Sequence, residues 1–388
     1  MTLTFGWEGE FSLEDIDAKL LVDGYLIQGE VNPVHLLEIT TTVNKDIRTL
    51  NREIKESFTG VLKKVRANNA NMYGGSHLIE DVSDITPKYY RTTSLSNKCA
   101  RGFLDITGLQ VITGIPHHME EEGFKALDYF NRIKPAILAL SASSPITLVD
   151  GRLVDTGNSS NRTFRYKKLL EQFPTSIYNI KNISSLEEYF TTLQEISDEV
   201  LHNLHSGTIT DTNWDELTKI RDDGTSYYPF ERLEPHQIYW PIRVRPDHAN
   251  SESAYSLENR VSDMPTTFER IDMINNLITG LSYALITRDD INYEIPFDAS
   301  QNEFEGAAKK GLNYIVKGKT LREHIPAIIN TAEKGLRDNG FNVEAYQMKR
   351  TAENVLEYGN DADIIRKQGF NKPNELREFL TNRLYGKR

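Results

Sequence analysis

Alternating hydrophobic and polar positions predict several β-strands along the chain. The first covers Thr2 to Ser12, and a second covers Val34 to Thr42. Successive side chains of a strand point to opposite faces, so this alternation is typical of a strand with one buried face. Three later segments also predict strands: Leu104 to Thr113, Ile238 to Val244 and Ala254 to Val261.

Apolar residues that recur every three or four positions predict helices. Asp46 to Arg66 has this spacing, and so has Glu120 to Ser143, although Pro135 interrupts the second segment. A further helix is predicted from Ser184 to about Leu204, and residues 267–388 are mostly helical in pattern. Strands followed by a helical C-terminal third predict an α+β fold.

Composition excludes some classes of function. The 388 residues carry 56 acidic and 45 basic side chains, a net charge of −11. Phosphate backbones are held by basic surfaces, so nucleic acid is not an expected partner. Cys99 is the only cysteine, which excludes an intramolecular disulfide and a multi-cysteine zinc site. The chain shows no signal-peptide pattern and no apolar run near the roughly 18 residues of a membrane span, so we expect a cytoplasmic protein without membrane partners.

The segment Gly6–Phe11, with sequence GWEGEF, places two acids two positions apart. In a strand, Glu8 and Glu10 would point to one face, where two carboxylates repel unless a cation joins them. Mg²⁺ takes carboxylate oxygens and often substrate phosphates as well. The alternative is a solvated strand face that binds nothing.

Two other acids lie in predicted strands. Glu38 interrupts an apolar strand, where an unpaired acid is rarely buried, unless the strand is an edge strand with Glu38 outward. Glu258, Arg260 and Ser262 share one strand face. That arrangement indicates either an ion pair within the sheet or a metal ligand beside an arginine that clamps phosphate or carboxylate.

Further arginines are candidates for an anion site, with surface positions as the alternative. They are Arg243 and Arg245 in PIRVRP, and Arg162 and Arg165 in NRTFR.

Other types of active site have less support, because the sequence contains no phosphate-loop motif, no dinucleotide-binding fingerprint and no nucleophile-elbow motif. His117 and His118 are interpreted as loop residues, and Cys99 as an ordinary free thiol.

Taken in order, several segments resemble the type 2 glutamate–cysteine ligase family, which shares the glutamine synthetase catalytic fold. The opening TFGWEGEFSL resembles the family's G-x-E-x-E strand, and HLLEITTT resembles its E-L-x-T strand. The other matching segments are YGGSHL, ITGLQVITG, ALSASSPI, DTGNSSNR, SLENRVSDMPTT, FEGAAKKGL and YGNDADIIRKQ. The resemblance implies a single catalytic domain over residues 1–388, with an antiparallel sheet forming the active site and helices packed outside.

The chain departs from the family pattern at some positions. Gln110 and Ile112 stand where the family commonly has two histidines, although plant-type enzymes have Gln at the first position. Leu78 replaces a proline, and Ser143 replaces an asparagine. Residues 166–236 match no motif, and we expect part of the substrate selection to lie there.

The resemblance also implies roles for individual residues. Mg²⁺ would be held by Glu8, Glu10, Glu38 and Glu258. The catalytic group would comprise Arg162, Arg260 and Gln110, and ATP would be bound by Arg243, Arg245 and His77. The expected reaction is ATP-dependent amide formation through an acyl phosphate, with glutamate as the donor and cysteine or another amine as the acceptor. The expected partners are therefore small molecules, with a homodimer as a further expectation. A phosphotransferase and a noncatalytic nucleotide-binding module remain as alternatives.

Overall fold

A central antiparallel sheet organises the computed structural model of the chain. The structure describes residues 2–14, 27–29, 31–32, 36–76, 86–87, 107–164, 183–192, 194–195, 219–220, 226–227, 241–246, 252–287, 295–298 and 300–386. Within them the sheet has seven strands, in the order β12-β13-β7-β1-β4-β2, with β5 paired to the end of β1. The α+β prediction is confirmed.

The strands have the following bounds: β1 Thr4–Glu14, β2 Ile27–Gly29, β3 Val31–Asn32, β4 Leu36–Thr40, β5 Asn71–Tyr73, β6 Thr86–Pro87, β7 Gly108–Pro116, β8 Ile146–Val149, β9 Arg152–Asp155, β10 Lys219–Ile220, β11 Ser226–Tyr227, β12 Ile242–Arg245, β13 Ser253–Asp263, β14 Ile315–Val316 and β15 Lys319–Thr320. The strands outside the central sheet form two-stranded pairs.

The helices have the following bounds: α1 Ile47–Ala67, α2 Glu120–Ser141, α3 Phe268–Ile286, α4 Gln301–Lys310, α5 Leu321–Asp338, α6 Asn342–Tyr358, α7 Asp361–Gln368 and α8 Pro373–Leu384. Residues 186–192 and 194–195 are also helical, within the helix predicted from Ser184. α2 continues through Pro135.

One predicted strand is placed differently in the structure. β7 begins at Gly108 and extends to Pro116, so the prediction of Leu104 to Thr113 was shifted toward the N-terminus. Residues 104–106 lie outside the described part of the chain, and so does most of the segment 166–236.

The odd-numbered residues of β1 face the hydrophobic core. Phe5 packs on Tyr283 of α3, with ring centroids 5.1 Å apart, and Phe11 packs on Phe58 of α1 at 5.5 Å. Trp7 between them is 1% exposed. The helices therefore cover this face, and the opposite face presents the even-numbered residues, including Glu8 and Glu10.

Candidate active site

The register of the central sheet brings the predicted acids together on one face. Glu10 of β1 lies directly opposite Glu38 of β4, and Glu8 lies directly opposite Gln110 of β7. Residues directly opposite on one face have Cβ atoms about 4.5–5.5 Å apart. Glu258 of β13 enters the same face beside Ile112 of β7. The four acids thus lie on three strands, β1, β4 and β13, and share one face of the sheet.

Gln110 links the carboxylates. As placed, its amide nitrogen lies 3.4 Å from Glu10 Oε1. In the reverse orientation of the amide, which satisfies the surrounding groups better, the nitrogen donates to Glu8 Oε2 at 3.0 Å and to Glu258 Oε1 at 2.7 Å. Either way, the amide of Gln110 lies among three carboxylates. It is 4% exposed, so these contacts are shielded from solvent.

Among the acids of this face, Glu8 is one whose charged form is unfavourable. Burial, together with the negative charge of Glu258, raises the pKa of Glu8 from 4.5 to about 7, and the opposing charges of nearby arginines only partly offset this. A buried carboxylate next to a like charge favours its protonated form unless a cation lies close. A cation beside Glu8 would therefore favour its charged form.

Glu258 lies at the centre of an arginine cluster. Arg243 approaches it with two nitrogen atoms, Nε at 2.9 Å from Oε2 and Nη2 at 3.0 Å from Oε1. Arg245 Nη1 lies 2.8 Å from Oε2, and Arg260 Nε lies 3.2 Å from Oε1. Burial of Glu258 opposes ionisation, but the charges of the three arginines outweigh it and lower the pKa to about 2.

The segment that contains Glu258 and Arg260 was interpreted either as an ion pair within the sheet or as a metal ligand beside an arginine that binds anions. Glu258 and Arg260 do form an ion pair, and Arg243 and Arg245 join it. Three guanidinium groups around one carboxylate leave an excess of positive charge at this end of the face. Guanidinium groups are well suited to bind phosphate and carboxylate oxygens. The role of Glu258 as a metal ligand stays a prediction.

Arg162 lies beside the face, with its guanidinium group against the backbone. It is 4% exposed, and it donates to the carbonyl oxygen of Arg260 at 3.2 Å and to that of Val261 at 3.4 Å. A side chain at Gly108 would collide with it, so Gly108 gives Arg162 the space to lie there. The N–H of Gly108 in turn donates to Glu10 Oε2 at 2.7 Å.

A buried polar network holds the loops that surround the site. Asp263, at the end of β13, accepts hydrogen bonds from the N–H of Ser143 at 3.0 Å and from the hydroxyls of Ser144 and Ser160, both at 2.8 Å. Burial raises the pKa of Asp263 despite these bonds and the nearby charge of Arg162. Ser143, where the family has asparagine, also donates to the carbonyl of Met264 at 2.8 Å. Ser143 therefore has a structural partner of its own.

A second buried acid ties the C-terminal helices to the sheet. Asp361, at the start of α7, lies 2.9 Å from Arg270 Nη1 and 2.8 Å from Arg383 Nη2. It also accepts from the N–H of Thr266 at 2.8 Å, just after β13. This cluster was not predicted from the sequence. The pattern N-D-A-D, in which Asn360 and Asp363 cap α7, was the available signal.

The donor set suits magnesium bound together with a phosphate ligand. Within the described ranges, no group of three or more His, Cys, Asp and Glu side chains is arranged to hold a metal ion. Mg²⁺ usually needs only one or two carboxylates from the protein, because substrate phosphates and waters complete its coordination. The opposed acids Glu10 and Glu38, and the buried acid Glu8, provide oxygen donors of this kind.

The sheet face therefore gathers nine of the ten predicted site residues on it or at its edge: Glu8, Glu10, Glu38, Gln110, Arg162, Arg243, Arg245, Glu258 and Arg260. His77 lies outside the described residues, and so do Cys99 and Arg165. His117 and His118 are exposed in a short 3₁₀ turn. This exposed turn agrees with their interpretation as loop residues. The chemical role of each gathered residue stays a prediction.

Comparisons with known proteins found a matching family model and similar solved structures. A family model described as glutamate-cysteine ligase family 2 matches residues 10–363. Among curated proteins, no sequence matches the chain. The chain is similar in structure to a glutamate–cysteine ligase from Francisella tularensis, solved in complex with AMP. The TM-score is 0.67 at 13% identity, over 99% of this chain and 88% of that one.

A second similar structure is a bifunctional glutathione synthetase from Pasteurella multocida. It aligns with a TM-score of 0.54 at 12% identity, over 98% of this chain and 53% of that one. At such identities the likeness concerns the fold, and it confirms the glutamine synthetase-like fold that the sequence predicted.

In the described part of the chain, no helix combines the length and apolarity needed to cross a membrane.

Proposed function

The chain belongs to glutamate–cysteine ligase family 2, and from this premise we propose that it joins a carboxylate donor to an amine in an ATP-dependent reaction. The donor we propose is glutamate, activated at its γ-carboxylate, and the product is a γ-glutamyl amide. Family membership supports an amide ligase that uses ATP. The choice of glutamate, the acceptor and the acyl-phosphate route are our proposals.

One observation carries the proposal: a single sheet face holds clustered carboxylates at one end and clustered arginines at the other. Glu10 opposes Glu38 across β1 and β4, and Arg243 and Arg245 of β12 lie around Glu258. Phosphoryl transfer needs positioning and charge neutralisation more than a covalent protein nucleophile. The face offers both, and the described residues on it include no cysteine, serine–histidine pair or lysine suited to nucleophilic attack.

Magnesium is the cofactor that this donor set fits. Glu8, Glu10 and Glu38 would hold more than one such ion, with one or two carboxylates to each ion, and Glu258 would share its oxygens between a cation and the arginines. When bound, Mg²⁺ would supply positive charge that neutralises the phosphates of ATP. The arginine cluster would bind the transferred phosphoryl group and the donor carboxylate, and Gln110 would hold Glu8 and Glu258 in position through its amide.

The proposed reaction has two steps. A carboxylate oxygen of the donor attacks the γ-phosphorus of ATP, and the bond to the β–γ bridging oxygen breaks, so ADP leaves. The acceptor amine then attacks the carbonyl carbon of the acyl phosphate. The C–O bond to the phosphate breaks, inorganic phosphate leaves, and the amine nitrogen loses its proton to solvent or phosphate.

The experiment that tests the function measures ADP and phosphate release with ATP, Mg²⁺ and glutamate against each amino acid and a panel of small amines, with mass spectrometry of the products. We expect one acceptor to stimulate ADP release and to give an amide of matching mass. ADP release with a stable phosphorylated product and no amide would instead favour the phosphotransferase. If glutamate gives no ADP release with any acceptor, the assay is repeated with other carboxylates, and nucleotide binding without ADP release for all of them would favour the noncatalytic module.

A further inference from the structure

Ile112 is an apolar side chain on the charged face of the sheet. Its neighbours on that face are Glu258 of β13 and Gly6 of β1, which lie directly opposite it on either side. Along its own strand, Gln110 lies two residues away and points to the same face. Ile112 is partly exposed, whereas Leu109 and Val111, on the core side of β7, are fully buried.

Ile112 does not take part in the packing of the protein interior. Within the described part of the chain, it belongs neither to the buried core nor to the partly buried apolar side chains that pack against that core. A Cβ atom added to Gly6 would meet Ile112 at 3.7 and 3.9 Å, so the isoleucine side chain covers the bare backbone of Gly6. Among the described neighbours on this face of the sheet, Ile112 thus provides a hydrocarbon surface beside Glu258, Gln110 and the bare backbone of Gly6.

The position of Ile112 lies between the two charged ends of the face. On one side are the carboxylates of β1 and β4, and on the other the arginines of β12 and β13. Neighbouring strands lie about 4.8 Å apart, so β7 separates β1 from β13 by about 10 Å. A small molecule that is bound between the arginines and the carboxylates lies over β7. There it meets Ile112.

We propose that Ile112 contacts the hydrocarbon chain of the carboxylate donor and sets the chain length that the site accepts. This inference rests on the proposed function and deepens it. A glutamate has two methylene groups between its γ-carboxylate and its α-carbon, and these methylenes lose water when they cover the partly exposed isoleucine. Apolar contact of this kind contributes to binding in proportion to the area removed from water.

The test replaces Ile112 and measures each substrate separately. Ile112→Ala removes most of the apolar contact, Ile112→Thr keeps the branched shape but introduces a hydroxyl, and Ile112→Val is the conservative variant. With about 0.8 kcal/mol per buried methylene, we expect the KM for glutamate to rise about tenfold in Ile112→Ala and Ile112→Thr, and about twofold in Ile112→Val. The KM for ATP and kcat stay within about twofold, because the lost contact serves ground state and transition state alike.

The chain length of the donor provides a second measurement. If Ile112 had only a structural role, its replacement would not change the preference among donors of different length. Aspartate has one methylene fewer than glutamate, and 2-aminoadipate has one more. We expect the ratio of kcat/KM for glutamate over each of these donors to fall about fivefold or more in Ile112→Ala. The matched control is Ile146→Ala, which changes a partly exposed isoleucine of β8, outside the central sheet. This control should change neither the KM for glutamate nor the ratio.

Glutamate binding, measured by calorimetry with Mg²⁺ and a nonhydrolysable ATP analogue, separates this inference from the proposed function. If the unchanged protein binds glutamate without turnover and Ile112→Ala binds it about tenfold more weakly, only the proposed reaction is wrong. If the unchanged protein is active and folded Ile112→Ala keeps both the KM and the chain-length ratio, only the role of Ile112 is wrong. If the unchanged protein binds no glutamate at all, both are overturned.

Discussion

Arg243 and Glu258 form a buried ion pair with two hydrogen bonds, at 2.9 and 3.0 Å, at the arginine-rich end of the sheet face. The Glu258 side chain has no exposed surface, and that of Arg243 is 6% exposed. Because Arg245 and Arg260 lie against the same carboxylate, one negative charge holds three positive ones in place. The stability of this end of the sheet therefore depends on Glu258.

Replacing Glu258 with glutamine should destabilise the protein strongly. Glu258→Gln leaves three arginines near one another without their buried counter-charge, and breaking a buried pair in this way typically costs about 3–5 kcal/mol. We expect a loss of about 3 kcal/mol in the free energy of unfolding, measured by urea denaturation without added Mg²⁺.

Asp155→Asn is the matched control for that measurement. Asp155 pairs with Arg366 at 2.9 Å, but its side chain is 51% exposed. Exposed pairs contribute about 0–1 kcal/mol, so this variant should lose less than about 1 kcal/mol. Equal losses in the two variants would show that Glu258 does not hold the arginine cluster together.

The buried Lys134 should make the free energy of unfolding higher at alkaline pH than at pH 7. It is 2% exposed in α2, with its ammonium group 5.6 Å from the ring of Phe304. Burial lowers the pKa of Lys134 from 10.5 to about 8, although the charge of Glu303 opposes this. Between pH 8 and 10.5 the unfolded chain holds a proton that the folded protein has released. The contribution of Lys134 to the free energy of unfolding therefore rises with pH, by up to about 3 kcal/mol.

The variant Lys134→Met should remove this contribution and stabilise the protein at pH 7. The pH dependence of urea denaturation for the two proteins, taken as a difference, isolates Lys134 from other groups that titrate in the same range. Lys125→Met is the control, since Lys125 is exposed and pairs with Glu121 at 2.8 Å on the helix surface. A difference curve that is flat from pH 8 to 10.5 would contradict the prediction.

Two glycines in helices should respond to alanine in opposite directions. Helices α5 and α3 lie in close contact at Gly335 and Gly280. A Cβ atom on Gly335 would collide with the carbonyl oxygen of Gly280. Gly335→Ala forces the helices apart, and we expect a loss of about 2 kcal/mol, a typical cost of overpacking. Gly60 lies in α1 with no described atom within 4 Å of an added Cβ.

Gly60→Ala should therefore stabilise the protein by about 0.5–1 kcal/mol, because alanine loses less backbone entropy than glycine in a helix. Thermal denaturation of both variants checks the pair. A stabilising Gly335→Ala would mean that α3 and α5 do not approach each other as closely as described.

Alternation along the sequence predicted much of the site, because a strand has a period of two. The pattern of β1 alone placed Glu8 and Glu10 on one face. The pairing of Glu10 with Glu38, and of Glu8 with Gln110, depends on the register between strands distant in sequence, which no local pattern contains. The resemblance to a family indicated that Glu38 and Gln110 belong to the same site. The strand register explains why they lie opposite Glu10 and Glu8.

Contacts between residues of separate elements could not be predicted from local patterns. Arg243 and Arg245 were predicted as an anion site or as surface residues, and their pairing with the buried Glu258 became visible only from β12 and β13 lying side by side. The Asp361 cluster joins α7, α8 and the start of α3, and charged residues in helical segments usually indicate a solvated face. The interpretation of the chain as a single domain stays a prediction.

Glu10→Gln should abolish turnover and leave the fold intact. Glutamine keeps an oxygen that can accept from the N–H of Gly108, which Glu10 now binds at 2.7 Å, but it loses the charge that a cation requires. We expect ADP release to fall at least about 100-fold, with an unfolding midpoint close to that of the unchanged protein. Glu252→Gln, in an exposed pair with Lys45, is the control and should keep full activity. Full activity in Glu10→Gln would show that the metal-site assignment is wrong.

The most direct test of the acyl-phosphate ligase follows the oxygen atoms of the donor. Glutamate labelled with ¹⁸O at its γ-carboxylate is turned over with ATP, Mg²⁺ and the amine acceptor, and the released phosphate is analysed by mass spectrometry. We expect one ¹⁸O atom in each molecule of inorganic phosphate, because the bridging oxygen of the acyl phosphate leaves with phosphorus. Unlabelled phosphate, or label in AMP, would contradict it.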